Sequence, residues 1–245
     1  MNIISRTHIG NIRDTNEDFI LVRCEAKPNY MLVADGMGGA AAGEIASKIA
    51  AFSVQQYFEE LDSGSLTASQ LIEAVNYANE QIVTETRYNE RLTGMGTTMT
   101  LAAVEDNRII IAQVGDSCAY LLSGGQLHKI TKDHTYVQKL IDSGLIQKSQ
   151  AADNPFRNII TRVVGMNDLI VDTYEIDWGQ NDMLLLCTDG LTAYLPEEEL
   201  LRILINECAI EEKADEMVGV ALEKGGRDNI SVIIAHNVKI MEDSQ

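Results

Sequence analysis

Five aspartates, Asp18, Asp35, Asp116, Asp189 and Asp228, stand at the edges of apolar runs. Carboxylate oxygens are the ligands that hard cations such as Mg²⁺ and Mn²⁺ take, and Asp is otherwise disfavoured in strands. Asp35 and Asp189 each precede a glycine and Asp228 precedes an asparagine, so the backbone there can turn sharply and approach a ligand. One Asp-Gly after a strand is ordinary turn chemistry. Five carboxylates at five strand edges point to cation binding. Two carboxylates about 4 Å apart repel by roughly 4 kcal/mol at an effective dielectric of about 20, so such a cluster calls for positive charge.

Other chemistries find less support. The four cysteines (Cys24, Cys118, Cys187, Cys208) form no CxxC pair, and the four histidines no HxH or HExxH spacing. Neither a zinc site nor a disulfide framework is expected, and buried free thiols suit a reducing cytosol. His8, His128 and His236 read as structural or surface residues. A net charge of -18 argues against nucleic acid and anionic membrane as partners. The N-terminus lacks the pattern of a secretory signal, and no apolar stretch approaches the roughly 20 residues of a membrane helix. A soluble cytoplasmic protein is expected.

The elements that must position the aspartates follow from periodicity. Short β-rich runs at 3–7, 18–23 and 30–34 precede two long helical patterns. The first spans 44–61, with Ala46, Ala50, Val54, Tyr57 and Leu61 on one face; the second carries Leu71, Val75, Ala78 and Ile82, opened by a capping box of Thr67 and Gln70. Residues 97–104 and 108–114 read as one hairpin, and 118–122 and 126–130 as another around Ser123-Gly124-Gly125. Residues 133–164 interrupt this β run with a short helix at 136–143 and a polar loop. Strands at 169–176 and 183–188 follow, then a helix from Pro196, another at 211–224 and a last strand at 229–235. Strands segregated from helices and joined by hairpins predict an α+β fold with antiparallel sheets. The simplest parse is a single catalytic domain over 1–240 with an inserted flap at 133–164 and a frayed tail at 241–245.

At this point the chain resembles the metal-dependent (type 2C) protein serine/threonine phosphatases in their compact bacterial form. Arg13-Asp14-Thr15-Asn16-Glu17-Asp18, Asp35-Gly36-Met37-Gly38-Gly39 and Gly43-Glu44 carry the first part of the likeness. Gly94-Met95-Gly96-Thr97-Thr98, Gly115-Asp116-Ser117, Asp133-His134, Asn154-Pro155-Phe156-Arg157-Asn158, Thr188-Asp189-Gly190-Leu191 and Arg227-Asp228-Asn229-Ile230 complete it. Each motif is weak alone; the ordered series is specific.

The resemblance implies a four-layer αββα sandwich, two antiparallel sheets flanked by helix pairs. It implies Mn²⁺ or Mg²⁺, two at the catalytic centre and a third bound more weakly. Asp35 would bridge the pair, with the Gly36 carbonyl on the first ion and Asp18 acting on it through a water. Asp189 and Asp228 would complete the second site, and Asp116 with Asp189 the third. Arg13 would clamp the substrate phosphate, a task suited to guanidinium geometry. A water between the two cations would attack the phosphate monoester directly, without a phosphoenzyme. Phosphorylated proteins and a Ser/Thr kinase are the implied partners, the expected state is a monomer, and Arg157 and Arg162 are the candidate flap contacts to substrate.

Four positions depart from the family pattern: Met37 and Ala40 where histidines are common, Cys118 for an arginine after Gly-Asp-Ser, and Asn154 for a histidine in the flap. The candidate ligands are intact, but a histidine general acid is in question. A haloacid-dehalogenase-type phosphatase needs a second Asp two residues after its nucleophile, which neither Asp35 nor Asp189 has. A binding module that has lost the chemistry would lack one of Asp35, Asp189 or Asp228.

Overall fold

The computed structural model describes residues 1–24, 28–38, 42–61, 65–151 and 154–238. Strand β3 (Asn29–Met37) is apolar on both faces: Met31 and Val33 enter one cluster of buried side chains, and Tyr30, Leu32 and Ala34 another. Such a strand must lie between two covering layers. It belongs to a sheet ordered β2 (Asp18–Arg23), β3, β5 (Met99–Glu105), β6 (Arg108–Val114) and β9 (Asp172–Asp177), with the short β4 (Gly96–Thr97) paired to β3. A second sheet runs β1 (Asn2–His8), β11 (Ile230–His236), β10 (Met183–Cys187), β7 (Cys118–Ser123) and β8 (Gln126–Lys129). Every strand pairing is antiparallel.

Three apolar clusters define the layers. Met31, Val33, Ile109 and Ile111 of the first sheet meet Leu184, Leu186, Ile233 and Ala235 of the second between the sheets. Helices α1 (Ala42–Glu59) and α2 (Ala68–Tyr88) cover the outer face of the first sheet. The one-turn α4 (Asp189–Thr192) with α5 (Glu197–Ile205) and α6 (Ile210–Glu223) cover the second. This is the four-layer sandwich that the resemblance implied. Buried Lys213 of α6 donates its ammonium to the carbonyls of Leu204 (2.9 Å) and Ile203 (3.3 Å), closing the C-terminus of α5.

The local signals hold where one period decides them. Thr67 and Gln70 form the reciprocal capping box of α2, and Gly124 and Gly125 carry the two positive φ angles (57° and 79°) of a two-residue hairpin turn. Where tertiary contacts compete, the boundaries move. The run 97–104 is broken at Thr98, because Thr97 turns its backbone to Val164 while Thr98 donates its N–H to the Asp35 carbonyl. The strand expected over 169–176 is β9, Asp172–Asp177; Leu169 and Val171 pack against the core ahead of it. Pro196 is the N-cap of α5 rather than its first turn, with ψ at 164°. The one-turn α4 follows β10 at once and has no periodic signal of its own in the sequence. Inside the flap, α3 (Tyr136–Asp142) is capped by Thr135. Gly39, Ala40 and the tail 241–245 lie outside the described residues.

Candidate metal centre

The two Asp-Gly pairs are not turns. Asp35 and Gly36 lie inside β3, and Gly190 in α4, so neither glycine makes a turn. Both are glycine because another backbone passes too close: a Cβ added at Gly36 would lie 2.0 Å from the Gly43 carbonyl oxygen, and one added at Gly190 would lie 1.9 Å from the Asn229 carbonyl oxygen. The close approach brings α1 and the β11 entry against the two aspartates.

At one end of the sandwich Asp18, Asp35, Asp116, Asp189 and Asp228 converge. Asp18 opens β2 and is the direct register partner of Asp35 on β3. Its Oδ2 accepts from the hydroxyls of Ser231 (2.6 Å) and Thr188 (2.9 Å), so the second sheet holds a carboxylate of the first. The backbone of Asp35 is clamped as well: its N–H donates to Thr98 Oγ1 (2.9 Å) and its carbonyl accepts from Thr97 Oγ1 (2.9 Å). Asn229 staples the loop that carries Arg13. Its amide donates to the carbonyls of Ile9 (2.8 Å) and Thr15 (3.0 Å), its Oδ1 accepts from the Glu17 N–H (2.8 Å), and its own N–H donates to Asp228 Oδ1 (2.9 Å).

The electrostatics are those of carboxylates forced together. Burial, then the proximity of Asp18, Asp189, Asp116 and Asp228, raises the pKa of Asp35 well above the ordinary carboxylate value. Burial lifts Asp18 to about 7 against the hydrogen bonds from Ser231 and Thr188. Burial, with Asp189 and Asp133 nearby, lifts Asp116 to about 8. Asp189 is raised by burial and then by Asp228. One oxygen each of Asp18, Asp116 and Asp189 is buried with no hydrogen-bond partner. Among the described residues no three His, Cys, Asp or Glu side chains make a ready ligand cage; the fit to hard cations rests on these unpartnered oxygens and on the oxygen-only character of the donors.

Arg13 reaches this cluster from its rim. Its Nη2 donates to Asp228 Oδ2 at 2.9 Å, and Nη1 stands 3.9 Å from Glu17. Both partners, Asp228 first, raise the guanidinium pKa. The bond to Asp228 engages part of a five-donor fork.

Beside the cluster opens a cleft of about 820 Å³, lined by Asp116 and Asp189, by Lys132, Lys148 and Arg157 on the flap side, and by Pro196 opposite. Arg162 is not among its lining residues; it donates to Asp172 at 2.6 Å at the root of the flap. Glu17 and Asn229 also belong to the site, through their bonds to each other and to Asp228; in the sequence their only signal is adjacency to Asp18 and Asp228.

Residues 6–225 match the protein phosphatase 2C family; Asp228 and β11 lie beyond that match. A serine/threonine phosphatase, stp, of Listeria welshimeri is 39% identical over 236 residues, covering 94% of this chain and 93% of that one. The crystal structure of serine/threonine phosphatase Stp1 from Staphylococcus aureus superposes with a TM-score of 0.90 at 32% identity, covering 97% of this chain and 94% of that one. The catalytic domain of serine/threonine protein phosphatase PstP, solved in complex with two manganese ions, is similar at a TM-score of 0.85 and 33% identity, covering 97% and 98% of the two chains.

Proposed function

The chain belongs to the protein phosphatase 2C family, and from that premise we propose that it hydrolyses phosphoserine and phosphothreonine on proteins, using Mn²⁺ or Mg²⁺ held by the aspartate cluster. The observation that carries this reading is the set of buried carboxylate oxygens on Asp18, Asp116 and Asp189 that no protein donor satisfies. Leaving such groups unpaired is costly, and the four other carboxylates around Asp35 add a repulsion that protons or cations relieve.

In this reading Asp35, the Gly36 carbonyl and Asp18, the last through a water, would hold one ion, and Asp35, Asp189 and Asp228 a second. Asp116 and Asp189 would hold a third more weakly. When bound, the cations supply Lewis-acid charge against the phosphoryl oxygens and an acidified water as nucleophile. The chain's own residues do the rest. Arg13 orients the phosphate through its planar donors, at a rim position that Asp228 and Asn229 define. Ser231 and Thr188 keep Asp18 from rotating away from Asp35.

The flap over 133–164 is proposed to choose among phosphoproteins. Arg157 lines the cleft, whereas the bond from Arg162 to Asp172 supports an anchoring task for Arg162. Residues 1–240 are proposed to act as one catalytic domain, monomeric and cytoplasmic, reversing a Ser/Thr kinase. No helix among the described residues is long and apolar enough to cross a membrane.

The test is hydrolysis of a phosphothreonine peptide with Mn²⁺ and with excess chelator. Turnover is expected only with metal and with no covalent phosphoprotein after acid quench. Full activity in chelator, or a trapped phosphoenzyme, would overturn the proposal.

A further inference from the structure

His134, at the first root of the flap, is 6% exposed, and its polar atoms are committed. Its backbone N–H donates to the Gly115 carbonyl (2.9 Å), and the Gly115 N–H donates back to its ring Nδ1 (3.1 Å). These reciprocal bonds clasp the residue immediately before Asp116. Gly115 has little freedom of its own: its φ is +97°, and an added Cβ would meet Thr98 Cγ2 at 2.5 Å.

The same residue closes the flap. The His134 carbonyl accepts from the Thr161 N–H (2.7 Å) and hydroxyl (3.1 Å), and Thr135 bridges Ile160 beside it. Because Nδ1 accepts, Nε2 carries the proton; it donates to Asp172 Oδ2 at 3.2 Å, while Arg162 holds Asp172 Oδ1 at 2.6 Å. Burial lowers the imidazole pKa, in keeping with a neutral ring. His134 is not among the cleft-lining residues, so it has no direct access to a substrate there.

We propose that His134 is a positioning residue whose Nδ1 sets the Gly115–Asp116 turn, so that the seating of the flap root fixes how Asp116 presents its carboxylate to a cation. Linkage runs both ways: a cation on Asp116 should hold the flap root in return. The inference rests on the reading of Asp116 as a cation ligand.

Two substitutions separate the ring nitrogens. In His134→Asn, Oδ1 is as many bonds from Cα as Nδ1, so the acceptor for Gly115 stays and the donor to Asp172 is lost. In His134→Gln the end amide replaces Nε2, and the Gly115 N–H loses its acceptor. Mn²⁺ titration calorimetry and amide hydrogen exchange at Gly115 are measured on both, with melting temperatures as the control. His134→Gln should weaken the weakest Mn²⁺ site about tenfold, the scale of one unpaired buried N–H, and speed exchange at Gly115, with the tighter sites unchanged. His134→Asn should stay within about twofold of wild type.

Equal weakening in both variants, tracking their loss of melting temperature, would reduce His134 to a structural residue. So would an unaltered weakest site in His134→Gln. If His134→Gln does not fold, His134→Asn decides alone, since a tenfold loss there contradicts the Nδ1 assignment. Wild type and Asp116→Asn binding the same number of Mn²⁺ ions would remove the Asp116 reading and this inference together.

Discussion

Asp18 and Asp35 face each other directly across the antiparallel β2–β3 ladder. Side chains so placed have Cβ atoms about 4.5–5.5 Å apart, and like charges there destabilise the pair. Asp18 cannot swing clear, because Ser231 and Thr188 hold its Oδ2. The register that builds the sheet therefore also builds an electrostatic cost, which protons or cations relieve.

In excess chelator the protein should lose stability as pH rises. The folded-state pKa values of Asp18 (about 7) and Asp116 (about 8) lie above the ordinary 3.8, so the native state holds more protons than the unfolded one between those limits. Their stabilising protonation is complete below the ordinary value and is lost as pH climbs through about 7 to 8. Melting temperature in chelator should fall from pH 5.5 to 8.5, and saturating Mn²⁺ should flatten that slope. A melting temperature that rises with pH in chelator would contradict it.

Asp35→Asn, Asp189→Asn and Asp228→Asn should each abolish turnover through loss of metal affinity. Each removes one charge from a crowded cluster, so the metal-free variants should melt no lower than wild type. Calorimetry on a folded, inactive Asp228→Asn protein with wild-type Mn²⁺ affinity would refute the ligand assignment.

Arg13→Ala should lower kcat/KM for a phosphopeptide by roughly ten- to a hundredfold, the value of a lost charge-assisted bond of about 1.5–3 kcal/mol. Mn²⁺ affinity should change less. Unchanged efficiency would leave Arg13 as a partner of Asp228 and nothing more.

Asp116→Ala should impair phosphoprotein turnover more than that of an aryl phosphate. No histidine stands at position 37, and Asp116 lines the cleft, where its carboxylate can position a water near the leaving group. A Ser or Thr alkoxide needs protonation, whereas a phenolate leaves unaided, and general-acid help is typically about 10²–10⁴-fold. Equal loss on both substrates with two metals still bound would decide against the idea.

Lys213→Met should destabilise the fold without altering the site. The ammonium satisfies terminal carbonyls of α5 in a fully buried position, and leaving buried acceptors unpaired costs about 1–3 kcal/mol. Urea unfolding should show a lower midpoint at constant slope, with Mn²⁺ affinity unchanged.

Period, punctuation and spacing were enough for most of the framework. Short β-rich runs bounded by turn residues marked β1, β7 and β11, the helical stripe marked α1 and α2, and Thr67 with Gln70 marked where α2 begins. The five aspartates could be picked out because each interrupts an apolar run, a local event. The ordered motifs extended this to the sandwich and its site.

The reasons behind those residues were decided in three dimensions. Gly36 looked like a turn glycine and is a close-contact glycine, because the Gly43 backbone passes over it. That Arg162 of the flap reaches Asp172, ten residues on at the start of β9, was also not legible in the polar loop that carries it. Asp18 is held from 170 and 213 residues away, by Thr188 and Ser231. Periodicity reports which face of an element is apolar, but not which element covers it. Partners brought together by the stacking of two sheets therefore leave no trace in chain spacing.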